Sequence, residues 1–485
     1  MTMLSKTKLE SCKKMAKTKI DIAMDIVKEQ IANKSLIAGS RLPSVRQLAI
    51  QLNFSVSTIV EAYTRLVSAG TLESRIGAGY FVVGHVTQAQ IFETKIQYQR
   101  EIDPLWISRQ SLDAKPNVFK PGCGWLPSSW MPEQTVRKAL KHVAKSDTEL
   151  LIDYAVPNGH LQLRQWIARR KQNYNLNLDL EQILITDSAT QSIDLIFRLL
   201  LQAGDVILID DPCYFNFQAL IKAHHLKAVA IPITENGPHI EHFKQALSLK
   251  PKIYLTNSGI HNPTGASLSI QTAFQVAKLA EQANLMIIED EIFSDFEYQP
   301  APRYASLAGF EHVIQIGSFT KTLSAAVRCG YIIANTQKIE ELIDLRIATN
   351  FSHSNLNAEI VYHALMDSSY LKHIDWLKKQ LVKAMNETIH KLALLDIHPW
   401  IIPKAGIFLW CRLPKDILAS ALSKYCLKND VILAPGNAFS QADGAEHFMR
   451  FNVAQCIDKH IFDVLEAGIK AVSYTHLTLP TSDLV

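Results

Sequence analysis

The sequence predicts a multidomain chain: a small N-terminal unit of three helices and a two-stranded wing, then a large α/β unit on a mainly parallel sheet. Three observations carry that reading. A length of 485 residues suits about two to four domains. Charge is unevenly spread: the chain is +4 overall, yet residues 1–86 hold 12 Lys/Arg against 6 Asp/Glu, which leaves −2 for the remainder. From about residue 117 onward, short apolar runs alternate with amphipathic helical patterns.

Composition narrows the class. A chain that is 48% hydrophobic and 20% charged, with mean hydropathy +0.03, can bury a sizeable core and is not wholly disordered. Glycine and proline, 19 each, exclude collagen-like or low-complexity material. The cysteines at 12, 123, 213, 329, 411, 426 and 456 form no C-x-x-C pair, so reduced thiols are expected and no metal site. No apolar run reaches the ~18 residues that span a membrane. The basic N-terminus has no apolar signal core behind it. A cytoplasmic protein without a membrane partner is expected. The basic block suggests nucleic acid for the N-terminal unit alone. Lys6, Lys8, Lys13, Lys14, Lys17 and Lys19 read equally well as a solvated tail.

Ile20, Ala23, Val27 and Ile31 sit at helical spacing and predict a first helix near 18–33. Ser44 with Gln47 forms a capping-box pattern ahead of a short helix whose apolar face is Leu48, Ala49 and Leu52. Ser55 can cap the next helix, near 56–69, with Ile59, Ala62, Tyr63 and Leu66 inward. Gly70 stops it. Then 72–74, the glycine turn 75–79 and 80–83 read as strand, turn, strand.

On LPSVRQLA at 42–49, SVSTIVEAYTRL at 55–66 and the G-A-G turn at 77–79, residues 18–86 resemble the winged helix-turn-helix of the GntR family of bacterial regulators. The resemblance implies that helix 56–69 enters a DNA major groove. It makes Arg46, Ser55, Ser57 and Thr58 the expected DNA contacts, with Arg75 and Gly77 on the wing. Arginine can read guanine bidentately, whereas the hydroxyls position phosphates or serve only as helix caps.

Residues 87–116 are polar and weakly periodic and read as a linker with room for a helical stretch. Beyond it, QILIT at 182–186, VILIDD at 206–211, KAVAI at 227–231, IYLT at 253–256, LMIIED at 285–290 and VIQIGS at 313–318 read as strands separated by helices. Ligands of such sheets gather at the carboxyl ends of strands. Polar clusters sit there: Asp187-Ser188-Ala189-Thr190, Asp211-Pro212-Cys213-Tyr214, His261-Asn262-Pro263-Thr264-Gly265, Asp290, and Ser318-Phe319-Thr320-Lys321 with Arg328 beyond. Any one alone is a common turn or a surface lysine. No G-x-G-x-x-G follows a strand, which argues against a nicotinamide site.

In this order, with PGCGWLPSSWMP at 121–132, DYAVPNGHLQLR at 153–164 and KAGIFLWCRL at 404–413, residues 117–472 resemble the fold-type I aminotransferases, which use pyridoxal 5′-phosphate. Joined to the GntR-like head, the chain resembles the MocR-type subfamily. That implies a smaller α/β subdomain beside the main sheet. It also implies a role for each strand-end residue. Lys321 would form the internal aldimine and move the Cα proton. Asp290 would keep the pyridine nitrogen protonated. Asn262 would donate to the phenolic oxygen, and Tyr214 would stack on the ring. Ser188, Ala189, Thr190, Ser318 and Arg328 would hold the phosphate. Tyr154 would reach the phosphate of the neighbouring subunit, which implies a homodimer. Arg450, in MRFNVA at 449–454, would clamp an amino acid's α-carboxylate.

Departures from the family pattern are Phe293 where a tyrosine is usual, Asp187-Ser188-Ala189 in place of a glycine-containing turn, and Ala325-Ala326 in place of Pro-Gly. The segment 473–481 resembles the translation of a transposase-type sequencing adapter, so 473–485 is expected to be non-native. The expectation is a transcriptional regulator that binds an operator and senses an amino acid or amine by aldimine exchange. Lys321, Asp290 and Arg450 are also chemically sufficient for an active aminotransferase. A body that has lost the cofactor is the third reading, and intact Lys321, Asp290 and Asn262 argue against it.

Overall fold

The computed structural model describes residues 18–33, 35–75, 77–83 and 105–477, with the side chains of 474–477 excepted. The N-terminal lysines as far as Lys17, Cys12, Ile76, most of the expected linker and residues 478–485 lie outside the described residues. The chain divides into two compact units, Met1–Gln99 and Arg100–Val485.

In the first unit, helices α1 (Lys19–Ala32), α2 (Val45–Leu52) and α3 (Val56–Ser68) precede the antiparallel strands β1 (Leu72–Arg75) and β2 (Gly79–Val82). Each helix starts where its sequence supplies a cap. Thr18 and Asp21 exchange side-chain-to-backbone hydrogen bonds, as do Ser44 and Gln47. The Ser55 hydroxyl accepts from the Thr58 N–H at 3.2 Å. Ala23, Val27, Leu48, Ile59, Ala62 and Leu66 bury the inner stripe around Tyr63, whose hydroxyl donates to the Pro43 carbonyl at 2.9 Å and pins the entry to α2. The turn between strands passes through Gly77 at φ 74°, a conformation that costs glycine little.

The second unit opens with α4 (Trp106–Asp113), inside the stretch read as linker. Its Ile107 is buried against Phe215, Trp410 and Phe439. Those apolar contacts bring the end of that stretch into the second unit's core.

The main sheet holds β3 (Ile183–Thr186), β4 (Val206–Asp211), β5 (Lys227–Thr234), β6 (Gly237–Pro238), β7 (Ile253–Thr256), β8 (Met286–Asp290), β9 (Val313–Ser318) and β10 (Gly330–Ile333). Their order is β3-β10-β9-β8-β7-β4-β5-β6, and only β10 and β6 run against the rest. The central strands are apolar on both faces because helices cover both. A smaller antiparallel sheet, β11 (His398–Pro399), β12 (Phe408–Arg412), β13 (Ala434–Pro435) and β14 (Phe448–Asn452), in the order β11-β12-β14-β13, packs with helices Ser368–Ala393, Ala419–Lys428 and Lys459–Leu477. The last helix runs through residue 473 to Leu477 without a break, so as far as 477 the tail is helical. Among the described residues, no helix is long and apolar enough to cross a membrane. The six described cysteines are free and buried, and no metal-holding group of His, Cys, Asp and Glu occurs among the described residues.

Candidate functional site

Strands β3, β4, β7, β8 and β9 end at one edge of the sheet, and a cavity of about 160 Å³ opens there. Ser188, Ala189, Thr190, Tyr214, Asn262, Asp290, Ser318, Lys321 and Arg328 all line it. Parallel strands with helical crossovers place their C-terminal loops side by side, so residues far apart in sequence converge. Tyr154 does not line this cavity. It is 77% exposed and lines a separate depression with Asn350 and His353.

Lys321 leaves the turn after β9 and points into the cavity, its Nζ donating to the Gly124 carbonyl at 2.6 Å and lying 5.6 Å from the Phe293 ring centre. Burial, reinforced by the Arg450 charge, lowers its ammonium to about 8. Asp290, at the end of β8, is buried, and burial pushes its carboxyl up to about 6 against the pull of the Ile292 N–H and the Asn257 amide. One cavity therefore holds an amine and a carboxyl whose protonation both change near neutrality.

At the other end of the cavity, the Ser188 hydroxyl caps helix Ala189–Leu200 by accepting from the Gln191 N–H at 3.0 Å. The first N–H groups of that helix have no intrahelical acceptor and favour an anion. Asp187 does not disrupt this cup, because its carboxylate is held by the side-chain amides of Gln191 and Asn350. Gly330 keeps the cup narrow: a Cβ there would lie 2.7 Å from the Ser188 carbonyl carbon. Ser318 bonds the Thr320 hydroxyl and donates to the Cys329 carbonyl at 3.1 Å, while Arg328 stays exposed.

Arg450 is fully buried on β14, opposite Trp410 of β12. It donates to Asn262 Oδ1 at 2.9 Å and to the Gly122 carbonyl at 2.7 Å. Its guanidinium lies 4.2 Å from the Phe408 ring centre and 4.6 Å from that of Phe439. Its Nε has no partner, and burial lowers its pKa to about 10. A cation with an unused donor in an apolar cage favours an anionic partner.

Gly124 and Asn257 also line the cavity and were not singled out from the sequence, and Thr320, named in its strand-end cluster but given no role, lines it too. The strand-end rule that found Asp290 reaches Asn257 too, one residue beyond β7. Gly124 carries no such signal, because only the close approach of Lys321 makes it part of the wall.

In the first unit, Arg46 is exposed on the first turn of α2 and forms no ion pair among the described residues. Ser55, Ser57 and Thr58 cluster at the start of α3, with Ser55 Oγ 2.9 Å from Ser57 Oγ and 2.7 Å from Thr58 Oγ1. Ser55 thus caps α3 while remaining exposed. Arg75 is paired with Glu73 and lies 4.4 Å over the Phe81 ring centre, so a phosphate would have to compete for it. Exposed Val56 and Val60, one turn apart on α3, are further candidates that the hydrophobic pattern hid.

Comparison with known proteins agrees with both halves. Residues 126–467 match the family model "Aminotransferase class I and II". Residues 21–82 match that of "Bacterial regulatory proteins, gntR family". The chain is 28% identical over 420 residues to the HTH-type transcriptional regulator NorG of Staphylococcus aureus strain USA300, covering 83% of this chain and 93% of that one. It is 26% identical over 467 residues to the uncharacterized HTH-type transcriptional regulator YisV of Bacillus subtilis strain 168, covering 93% and 94%. Among solved structures, the α-aminoadipate aminotransferase LysN of Thermus thermophilus aligns with a TM-score of 0.69 at 20% identity, over 76% of this chain and 95% of that one. Kynurenine aminotransferase of Pyrococcus horikoshii gives 0.69 at 19%, over 80% and 98%. At those identities the structural likeness speaks for the fold. The chain therefore belongs to the aminotransferase class I and II family and carries a gntR-family helix-turn-helix ahead of that domain.

Proposed function

We propose that the chain is a cytoplasmic transcriptional regulator that binds an operator through residues 18–86 and senses an amino acid or amine through pyridoxal 5′-phosphate held by residues 117–472. The observation that carries this is the convergence of Lys321, Asp290 and Asn262 in one cavity of a chain that also bears a helix-turn-helix. Residues 87–116 would connect the two, and 473–485 would lie outside the functional chain.

The cavity fits that cofactor. Lys321 offers a primary amine with a lowered pKa. Asp290 sits deep enough to hold a proton on a ring nitrogen, where its own burial is repaid by the charge it meets. Asn262 has its Oδ1 taken by Arg450, so its Nδ2 is free to donate to a ring oxygen. Tyr214 supplies a ring wall. The N-terminus of helix Ala189–Leu200, with Ser188, Thr190, Ser318 and Arg328, suits a phosphate. When bound, pyridoxal phosphate supplies an aldehyde that captures amines and a ring that withdraws electrons. Arg450, buried behind Asn262, would bind the α-carboxylate of an amino acid, and Lys321 would accept or return a proton at its Cα. Tyr154, exposed on the surface, would complete the site of a second copy in a homodimer.

A second reading, an active aminotransferase with a DNA-binding head, is favoured by the undisturbed Lys321–Asp290 arrangement. The full-length chain loaded with pyridoxal phosphate separates the two. Amino-compound-dependent change in DNA affinity without multiple-turnover release of a keto acid supports the regulator. Sustained keto-acid release with unchanged DNA affinity supports the enzyme.

A further inference from the structure

A second cavity, of about 250 Å³, shares no lining residue with the Lys321 cavity. Its wall includes Asp211 at the end of β4, Ser440 and Gly444 of the loop before β14, and the aromatic residues Trp400, Trp410 and Phe448. No lysine, arginine or histidine lines it.

The charge in this wall is unbalanced. Asp211 is half-buried, and among the described residues no cationic side chain forms an ion pair with it. Burial and the neighbouring Asp210 charge push its carboxyl up; among the described residues the Ser440 hydroxyl opposes this, and that hydroxyl also accepts from the Ala442 N–H at 3.0 Å. A partly desolvated carboxylate beside apolar surface favours a cation. The rings add to that preference. Trp410 and Phe448 stack with centroids 5.3 Å apart and planes 5° apart. The backbone N–H of Trp400 bonds the Trp410 carbonyl at 2.8 Å, which fixes the strap that carries this third ring. The Trp400 side chain is not packed away, since the residue is 39% exposed. Aromatic faces attract a cation, most strongly one whose methyl groups spread the charge and reduce its hydration.

We propose that this cavity binds a small organic ammonium ion, with its charge beside Asp211 and its alkyl groups against Trp400 and Phe448. An anion would meet the carboxylate, and a neutral ligand would leave it uncompensated. The volume admits a trimethylammonium head with a short chain. Trp410 is common to this wall and to the aromatic cluster of Phe215 and Phe439 that flanks Arg450 and receives Ile107 of α4. The cavity is therefore in packing contact with the first site while separate from it.

The test uses the purified full-length chain, with and without pyridoxal phosphate, titrated with choline and with benzyltrimethylammonium. Binding is followed by the N-methyl proton shift and by tryptophan fluorescence. Saturable binding is expected, with an upfield N-methyl shift from the rings. The neutral shape-copy of choline, 3,3-dimethylbutan-1-ol, should bind at least about tenfold more weakly. Asp211→Asn should weaken choline by a similar factor. Trp400→Ala removes a part-exposed ring without touching the core and should weaken it about fivefold or more. Affinity should be the same with and without pyridoxal phosphate, so the test stands whatever occupies the Lys321 cavity. Equal binding of the alcohol and choline, an unchanged affinity in a folded Trp400→Ala protein, competition with pyridoxal phosphate, or no saturable binding of either ammonium ion would overturn the proposal.

Discussion

Arg450 Nη1 donates to Asn262 Oδ1 at 2.9 Å, and this bond decides which end of the Asn262 amide faces the cavity. The two residues are 188 positions apart, one in the small sheet and one in the loop after β7. A second Arg450 donor is spent on Gly122, so the guanidinium is held from two sides while its Nε stays unpaired. The group proposed to clamp a carboxylate thus also orients the group proposed to meet the cofactor.

Arg450→Lys should uncouple these roles. A lysine cannot span both acceptors. It leaves Asn262 Oδ1 or the Gly122 carbonyl unpaired, a cost of about 1–3 kcal/mol. Spectral titration of the loaded protein with amino acids should show half-saturation raised about tenfold or more. An unchanged half-saturation would remove Arg450 from carboxylate binding.

Lys321→Ala should abolish covalent capture of pyridoxal phosphate. Borohydride reduction and peptide mapping of the parent protein should label Lys321, and label on any other lysine instead would sink the assignment. The pH dependence follows from the lowered ammonium, about 8. The neutral amine is the nucleophile, so the rate of cofactor capture should climb with pH up to about 8 and level off above it. An ordinary lysine would keep climbing toward its usual pKa of about 10.4.

Arg46→Ala should weaken DNA binding. If Arg46 meets one phosphate, the salt slope of log K should fall by about one. If it reads a guanine, the loss should be roughly 1–3 kcal/mol and confined to sites carrying that base. Unchanged affinity for operator and random DNA would reject both roles.

His353 links stability to acid. It is buried with neither ring nitrogen partnered, and burial, with Arg346 and His160 adding like charge, lowers its pKa to about 3. The unfolded chain therefore takes up a proton below about 6.5 that the folded chain refuses. Stability should fall as pH drops through that window, by up to roughly 1.4 kcal/mol per pH unit from this group. His353→Leu should flatten the slope. Urea midpoints at pH 7 and pH 5 check this, and identical slopes in both proteins would mean that His353 is protonated when folded.

Six strands of the main sheet, β3, β4, β5, β7, β8 and β9, were legible as short apolar runs, five of them followed by a polar cluster, whereas β6, β10 and the four short strands of the small sheet were not read as strands. Lys321 and Asp290 were legible as residues at the ends of two of those apolar runs, while the roles expected of them came from the family resemblance. Ile107 was not, since one apolar residue in a polar stretch looks like linker until Phe215 and Trp410 are seen to cover it. The double duty of Arg450 was hidden too, because Asn262 and Gly122 reach it only through the tertiary fold. In the first unit the caps at Ser44 and Ser55 could be read directly, but the pairing of Arg75 with Glu73 and Phe81 depends on strand register, which places Glu73 opposite Phe81.

Phe293→Tyr tests the geometry around the cofactor most sharply. Phe293 is buried at the cavity wall, with its ring centre 5.6 Å from Lys321 Nζ and 5.4 Å from that of Phe408. On the proposed reading, Asn262 Nδ2 would be the donor to the cofactor's phenolic oxygen, because Arg450 occupies the other end of that amide. A phenol at 293 adds a second donor. Hydrogen bonds to an oxyanion favour the anion, so the pH midpoint of the visible band of the loaded protein should fall. Reactivity toward amino acids in a single turnover should rise at neutral pH, while DNA affinity stays unchanged. The hydroxyl must fit against Phe408 and Phe296, so thermal stability is measured alongside to separate a packing defect from an electronic effect. A midpoint that stays put or rises in a folded variant would mean that position 293 does not face the ring oxygen. The assignment of Asp290 to the ring nitrogen, which rests on the same DEIF segment at 290–293, would then fall with it.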